Sequence, residues 1–361
     1  MRALKIMPMH PQVSVVINSY NHAAFVGEAI QSVLDQSFQD FEIVVTDDAS
    51  TDGTPDIVKG FADPRISLEV FERNRGTAVA LNATIARARG EFIAILNSDD
   101  FALPGRLATQ VAFLRANPHI AAVFGLPRAV DERGAPAKCF VDFMRPFSLT
   151  DLSQKSWLNF FFFHGNCLCD PTAMIRRSAY QEVGSYDPRL INLEDFDMWV
   201  RICSRHDIHV MREELTAYRV RNDNRNMSAP RPDTLLRSQF EFSQILRRYR
   251  TMSTELLRNV FADQLVASGI SSDGPHDLWL AELALLAGSP AHRLFALETF
   301  FETAQQDSQL QRLRSLTGSI DLFGLMAANN RTGAAERSRS WLYSAPLRWI
   351  RRLRVNRPAH L

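Results

Sequence analysis

The first hundred residues alternate between short apolar runs and stretches in which apolar positions recur at helical spacing. The apolar runs predict strands at residues 13–18, 41–46, 66–71 and 92–96. Helical spacing predicts helices at 26–36, from 55 onward, and at 77–89. Strands that alternate with such helices form right-handed βαβ units, so the pattern predicts an α/β fold with a mostly parallel sheet. In such sheets ligands bind along the carboxyl ends of the strands.

Two helix ends are predicted from single residues. Thr54 precedes Pro55, a favoured first helical residue, so we expect Thr54 to be the N-cap of that helix. Gly90 follows the helix at 77–89 and is expected to end it in the left-handed backbone conformation.

Two of the predicted strands end in adjacent carboxylates. The second strand runs into Asp47 and Asp48, and the fourth runs into Asp99 and Asp100. Carboxylates at this edge of a sheet can hold a divalent cation together with the phosphates of a nucleotide. The structural alternatives are that Asp99 and Asp100 cap the following helix and that Asp48 caps its own turn through Ser50.

A third acidic pair, Glu194 and Asp195, begins a stretch of helical spacing whose apolar stripe includes Trp199. The helix dipole favours carboxylates at a helix N-terminus, so an ordinary acidic first turn is the alternative to a chemical role. Asp197 is expected either to face solvent or to pair with Arg201, four residues on.

The remaining pattern predicts a further strand at 120–125, a turn at 131–134, and only helices beyond residue 230. A chain of 361 residues is too long for one ordinary core, so we predict a second, smaller, all-helical domain. The apolar run at 160–163 is too short to span a membrane and is expected to pack under an acceptor loop.

Composition narrows the function classes. With 41 basic and 40 acidic residues, the chain lacks the basic excess of a nucleic-acid binder. It has no run of 18 apolar residues and no secretory signal, which predicts a cytoplasmic location. Four cysteines fit free thiols in a reducing compartment: Cys139, Cys167, Cys169 and Cys203.

Residues 331–361 form a basic aromatic tail. They contain eight arginines and one acidic residue, interleaved with Trp341, Tyr343 and Trp349. This mixture suits a helix on an anionic membrane face, which would place the protein peripherally on the inner face of the cell membrane. The alternative is a basic tail docked on the protein's own acidic domain.

Four segments stand out by their order and spacing: Val-Ser-Val-Val-Ile-Asn-Ser-Tyr-Asn at 13–21, Val-Val-Thr-Asp-Asp-Ala-Ser-Thr-Asp-Gly-Thr at 44–54, Asn-Arg-Gly at 74–76 with Asn82 and 88–93, and Asn-Ser-Asp-Asp at 97–100. Together they resemble the family-2 glycosyltransferases. These enzymes have the GT-A fold, which is Rossmann-like, and transfer a sugar from a nucleoside diphosphate donor with inversion. The resemblance extends to about residue 228.

The resemblance implies a role for each acidic strand end. Asp48 would accept a hydrogen bond from the donor base, and Asn18 would lie beside the nucleoside. Asp99 would approach the ribose, and Asp100 would ligate a Mg²⁺ or Mn²⁺ ion that bridges the diphosphate. A departing nucleoside diphosphate gains negative charge, which a hard cation with oxygen ligands stabilises.

On the acceptor side, the resemblance makes Asp195 the general base that deprotonates the acceptor hydroxyl. Glu194 would orient the acceptor or hold the loop. Residues 164–166 and 171–177 are similar to the family's acceptor-side segment. Many relatives have a Tyr-Arg-x-His segment whose His helps to hold the metal or the diphosphate, whereas this chain has Arg221 in that place. Arginine cannot ligate a cation but can pair with phosphate oxygens, so Arg221 is expected to bind the donor. The alternative is a mobile basic loop outside the site.

The sequence therefore predicts a GT-A catalytic domain at 10–228, a helical domain at 229–330 and the basic tail at 331–361. We expect an inverting, metal-assisted transferase that acts on a UDP-linked sugar and a glycan or lipid-linked acceptor. One alternative is a non-catalytic scaffold that binds nucleotide sugars. A nucleotidyltransferase is disfavoured because the turn at 19–22 lacks the glycines of a phosphate loop.

Overall fold

The computed structural model describes residues 10–137, 151–221, 231–303 and 311. Eight strands are present in this part of the chain: β1 (Val13–Ser19), β2 (Phe41–Asp47), β3 (Ile66–Val70), β4 (Phe92–Ile95), β5 (Phe101–Ala102), β6 (Ile120–Val130), β7 (Met174–Arg176) and β8 (Asp207–Arg219). The α-helices are α1 (Val26–Leu34), α2 (Thr54–Lys59), α3 (Thr77–Arg87), α4 (Arg106–Ala116), α5 (Gln154–His164), α6 (Arg177–Val183), α7 (Glu194–Cys203), α8 (Pro232–Leu246), α9 (Thr254–Val260), α10 (Ala262–Ser268), α11 (His276–Ala287) and α12 (Pro290–Thr303).

The chain divides into two compact units. The first falls within Met1–Gln154 and Cys167–Asn226, and the second falls within Lys155–Asn166 and Met227–Leu361. The first unit contains the eight strands and the second consists of helices in its described part.

The first unit is a single mixed sheet with the strand order β3-β2-β1-β4-β7-β6-β8-β5. Strands β3, β2, β1 and β4 run parallel, as the alternating pattern predicts. Strand β7 is antiparallel to β4 and β6, and β5 is antiparallel to β8. The sequence pattern did not reveal β7 or β8, because β7 has three residues and β8 carries exposed polar residues in its middle.

Burial explains why β1, β2 and β4 form the centre of the sheet. Every residue of β2 and β4 is buried, and β1 is buried except at one position. Apolar side chains from helices α1 and α4 join one core cluster with these strands. Each buried Val or Ile side chain contributes about 1.5–3 kcal/mol, so the core holds the strand ends in fixed positions.

Both predictions of helix ends were wrong in detail. Gly90 is not among the described glycines with positive φ. A Cβ atom at Gly90 would lie 2.5 Å from the backbone nitrogen of Ser14, so this glycine permits close approach to β1. Gly53, with φ of 88°, is the N-cap of α2, and Thr54 is its first helical residue.

In the second unit, Phe160, Phe161 and Phe162 of α5 are buried and Phe163 is half-buried. Packing under an acceptor loop stays a prediction. The Phe162 ring contacts the rings of Tyr249, Phe261 and His292, with centroid distances of 5.1, 4.8 and 5.6 Å. These partners belong to the helical unit itself, so α5 supplies part of its core. His292 is buried, and its Nε2 and Nδ1 bond to the carbonyl of Phe162 and the hydroxyl of Ser289.

Within the described residues, no helix is long and apolar enough to cross the bilayer. Cys139 and the basic tail at 331–361 lie outside the described residues. The other three cysteines are buried and free, as expected: Cys167, Cys169 and Cys203.

Candidate functional site

The carboxyl ends of β1, β2 and β4 meet at one edge of the sheet. Asn18, near the end of β1, pairs with Thr46 of β2 and is half-buried. The turns that follow the strands bond to one another, since the Asp48 N–H donates to the carbonyl of Ser19. The two non-glycine residues with positive φ in the described chain, Asn21 (54°) and Ala49 (63°), lie in these turns. Such strained conformations are frequent at functional sites.

Asp48 holds the loop that leads from β3 to α3. Its carboxyl group is buried, and its two oxygens accept the N–H groups of Arg75 and Gly76 at 2.7 and 2.8 Å. The alternative role for Asp48 as a cap of its own turn was wrong, because Asp47 accepts both the N–H and the hydroxyl of Ser50.

Asp100 points into the protein rather than toward the next helix. Its Oδ1 accepts the Arg219 N–H at 2.8 Å, and its Oδ2 accepts the side-chain amide of Asn97 at 3.2 Å. Helix α4 begins later, has Gly105 as its N-cap and receives no side-chain cap, so the capping alternative for Asp99 and Asp100 was wrong. Burial, and then the charge of Asp99, raise the pKa of Asp100 well above its usual value.

Arg219 fixes the position of the acidic turn that follows β4. Its buried guanidinium donates to the carbonyls of Asp99, Asp131 and Glu132 and to Oε2 of Glu28, at 2.5–3.0 Å. Because its backbone N–H also binds Asp100, this one residue fixes the position of the acidic pair. The sequence analysis noted Arg219 only as part of a motif and missed this role.

His22 lies beside Asp99, and Arg221 lies within electrostatic range of His22. The Nδ1 atom of His22 is 2.7 Å from Oγ of Ser98, and its Nε2 atom is 3.8 Å from Oδ2 of Asp99. The guanidinium carbon of Arg221 lies 5.6 Å from the centroid of the Phe25 ring. Burial lowers the pKa of His22, and the charge of Arg221 lowers it further while that of Asp99 opposes the shift. The structure therefore places Arg221 within electrostatic range of this edge, and it adds His22, which the sequence analysis treated as a turn residue.

The third acidic pair starts α7, as predicted. Glu194 and Asp195 are half-buried, and Oδ1 of Asp195 accepts the Phe196 N–H at 2.6 Å. Asp197 is fully buried and forms an ion pair of 2.7 Å with Arg201, so the solvent-facing alternative was wrong.

Three carboxylates act electrostatically on the buried thiol of Cys169. Burial raises the pKa of this thiol well above its usual value, and the charges of Asp100, Asp170 and Asp195 raise it further. Asp100 and Asp195 are therefore within electrostatic range of the same atom.

Asp170 is a carboxylate that the sequence analysis missed. Its Oδ1 is buried and has no hydrogen-bond partner among the described residues. Burial, and then the charge of Asp195, raise its pKa well above the usual value. The available signal was its position directly before residues 171–177, the segment that resembles the family's acceptor side.

A buried arginine lies beneath these carboxylates. Arg106 is 1% exposed and donates to the carbonyls of Ile95 and Ala173 at 2.7 and 3.2 Å. Burial lowers its pKa to about 10, while the charges of Asp100 and Asp170 act in the opposite direction. Arg106 thus ties the end of β4 to the segment that carries Asp170.

The carboxylate oxygens at this edge fit a divalent cation that is bound largely by the phosphates of the substrate. No group of three His, Cys, Asp or Glu residues in the described ranges could enclose a metal ion. Mg²⁺ in nucleotide enzymes is usually bound by one or two carboxylates together with phosphates and water. Asp100 and its neighbour Asp99 match this pattern, since a cation would offset the burial and the charge of Asp99 that raise the pKa of Asp100.

Comparison with known proteins finds relatives of this chain. The family model described as "Glycosyl transferase family 2" matches residues 14–184. TuaG of Bacillus subtilis (strain 168), provisionally named a teichuronic acid biosynthesis glycosyltransferase, is 30% identical over 217 residues, which cover 59% of this chain and 81% of TuaG. The chain spans 66%, 74% and 81% of the length of three relatives that are named as glycosyltransferases, and TuaG is the one covered to 81%.

Two solved structures show the same fold. TarS 1–349 from S. aureus in complex with UDP-GlcNAc has a TM-score of 0.53 and 18% identity, and the match covers 84% of this chain and 90% of that one. The mannosyltransferase PcManGT from Pyrobaculum calidifontis, in complex with GDP-Man and Mn²⁺, has a TM-score of 0.52 and 20% identity, with 89% and 87% covered. These likenesses confirm the predicted GT-A fold.

Proposed function

This chain belongs to glycosyl transferase family 2, and on that premise we propose that it transfers a sugar from a nucleoside diphosphate sugar to a hydroxyl of a glycan or lipid-linked acceptor. The expected donor nucleotide is UDP, and the expected outcome is inversion at the anomeric carbon. The observation that supports this proposal most strongly is that Asp48 follows β2 while Asp99 and Asp100 follow β4, and that both strands pair in parallel with β1. These carboxylates therefore follow the carboxyl ends of neighbouring strands, where α/β sheets bind their ligands.

The donor would bind across the ends of β1, β2 and β4. Asn18 and Asp48 would hold the nucleoside, and Asp99 would bind the ribose. Asp48 can accept a further hydrogen bond, because each carboxylate oxygen has two acceptor sites and each accepts one backbone N–H. A bound Mg²⁺ or Mn²⁺ ion would neutralise charge on the diphosphate. Asp100 would hold that ion, as the Mn²⁺ in the PcManGT complex suggests.

The chemistry asked of Asp195 is a single proton transfer. The acceptor oxygen forms a bond to the anomeric carbon while the bond from that carbon to the diphosphate breaks. The hydroxyl proton passes to the Asp195 carboxylate, and the nucleoside diphosphate leaves with the bonding electrons. Attack from the face opposite the leaving group inverts the anomeric configuration. Glu194, at the same helix start, would orient the acceptor.

Cell-envelope polysaccharide assembly is the biological role that we propose for this reaction. TuaG, by its name, acts in teichuronic acid biosynthesis, and the present chain is similar to it over 59% of its length. A lipid-linked acceptor would suit a cytoplasmic enzyme that reaches the membrane surface through the basic residues at 331–361.

A screen of nucleotide sugars with Mn²⁺ tests the proposed function. We expect at least one UDP-sugar to raise the melting temperature, with slow hydrolysis of that sugar when no acceptor is present. A ligand present at 100 times its dissociation constant adds about 2.7 kcal/mol to the free energy of unfolding, which such a scan readily detects. GDP- and dTDP-sugars serve as the comparison. Binding without hydrolysis or transfer would favour the scaffold alternative, and no response from folded protein would contradict the proposal.

Arg221 is expected to carry part of the charge that a metal-site His carries in relatives. Activity should therefore persist at a measurable level in EDTA, and the variant Arg221→Gln should lose this residual activity while Mn²⁺ still restores transfer. Arg231→Gln, at an arginine that pairs instead with Asp233, is a matched control. Complete loss of wild-type activity in EDTA with full rescue by Mn²⁺ would leave Arg221 without a substitute role.

A further inference from the structure

His22 and Asp99 form an incomplete pair at the donor edge. Their closest atoms, Nε2 and Oδ2, are 3.8 Å apart, which is too long for a hydrogen bond. The two side chains are 21% and 14% exposed, so a ligand in the crevice can reach them. Both residues are fixed by hydrogen bonds to neighbours. His22 bonds to Ser98, and the backbone carbonyl of Asp99 accepts a hydrogen bond from Arg219.

The ring proton of His22 can be assigned from its neighbour. Within the described chain, Oγ of Ser98 has one hydrogen-bond partner, which is Nδ1 of His22 at 2.7 Å. Ser98 is 1% exposed, and no other group among the described residues accepts the hydrogen of its hydroxyl. The hydroxyl therefore donates to Nδ1, and the neutral imidazole carries its proton on Nε2. The atom that faces Asp99 is a hydrogen-bond donor.

One donor and one acceptor separated by 3.8 Å match a single hydroxyl group. An oxygen about 2.8 Å from both atoms fits between them. It would accept the Nε2–H of His22 and donate its own hydrogen to the Asp99 carboxylate. A metal ion fits less well at this point, because an imidazole ligates a metal through a ring nitrogen without a proton, and Nε2 carries one.

We propose that His22 and Asp99 together bind one hydroxyl of the donor's ribose, so that the enzyme selects ribonucleotides over analogues that lack this hydroxyl. The inference rests on the proposed function, in which Asp99 approaches the ribose. His22 is then a specificity-determining residue. A site built to bond a hydroxyl rejects the deoxy analogue because its polar groups lose their partner.

The test combines two His22 variants with deoxy ligands. His22→Asn keeps a polar atom near Ser98 but has none at the Nε2 position, whereas His22→Gln places an amide there. Dissociation constants for UDP, 2′-deoxy-UDP and 3′-deoxy-UDP are measured by calorimetry with Mn²⁺, and with GDP and its deoxy forms if the wild type does not bind UDP. His119→Asn, at an exposed histidine, is the control variant.

In the wild type, loss of one of the two ribose hydroxyls should weaken binding about 5- to 10-fold. In His22→Asn the same comparison should show less than about 2-fold, while His22→Gln should recover part of the discrimination. Equal discrimination in the wild type and His22→Asn would overturn the role of His22 and leave the proposed function standing. A wild type that binds neither UDP nor GDP would contradict the proposed function, and the inference would fall with it.

Discussion

Asp195→Asn is expected to lower the transfer rate by about 10²–10⁴-fold while nucleoside diphosphate binding stays within about 2-fold of wild type, since general-base catalysis contributes that much to rate. The amide cannot accept the proton of the acceptor hydroxyl. It retains an oxygen that can accept the Phe196 N–H, as Asp195 does now, so the helix start should survive. Rates are measured with saturating donor, and binding is measured by calorimetry with Mn²⁺.

Two further variants help to interpret the effect of Asp195→Asn. Asp263→Asn, at an exposed residue in the first turn of another helix, should leave the rate unchanged. Glu194→Gln should raise the acceptor KM more than it lowers kcat, if Glu194 orients the acceptor. Transfer by Asp195→Asn at a rate within tenfold of wild type would show that another group removes the proton.

Asp100→Asn is the second large expected effect. The amide oxygen can still accept the Arg219 N–H, so the connection between the turn before β5 and the end of β8 should persist. The substitution removes the negative charge of Asp100 at the proposed cation site. We expect Mn²⁺ to strengthen nucleoside diphosphate binding in the wild type and to have little effect in the variant. Transfer should fall on the order of 100-fold or more, because a metal ion's stabilisation of developing charge is worth several kcal/mol.

The measurement for Asp100 is a pair of titrations with and without Mn²⁺, together with a thermal melt of each protein. Asp100 is 2% exposed and its carboxylate is disfavoured by burial, so the ligand-free variant should melt at or above the wild-type temperature. Asp99→Asn provides a comparison at the adjacent carboxylate, where weaker ribose binding is expected but the Mn²⁺ effect should remain. Wild-type Mn²⁺ dependence in Asp100→Asn would show that the cation lies elsewhere.

Much of the sheet could be predicted because its signals are local. The β-branched run that forms β1 and the fully buried β2 and β4 are continuous in sequence, and their alternation with helices implies parallel pairing. The helical second unit was also predicted from periodicity. Strand β8 was missed because its burial comes from β6 and β5 beside it rather than from its own pattern, which includes exposed Arg212, Glu213 and Glu214.

The residues of the candidate site also fall into two groups: those that the sequence reveals and those that it does not. The acidic strand ends and the acidic start of α7 could be found from sequence because each is a contiguous pattern next to a recognisable element. Asp170, Arg106 and His22 could not, because nothing around them in sequence indicates what they face. Their importance depends on residues distant in sequence: the contact of Arg106 with the Ala173 carbonyl spans 67 positions, and that of His22 with Ser98 spans 76.

The sequence by itself determined the class of this protein: an α/β sheet with carboxylates at its strand ends, an acidic helix start, and motifs typical of family-2 glycosyltransferases. Only the tertiary structure decided which partner each group has. Asp100 is held by Arg219, Asp48 holds a loop, and His22 faces Asp99. The physical reason is that backbone pattern is set by neighbouring residues, whereas hydrogen bonds and charge interactions act over a few ångströms in space between segments that only folding brings together.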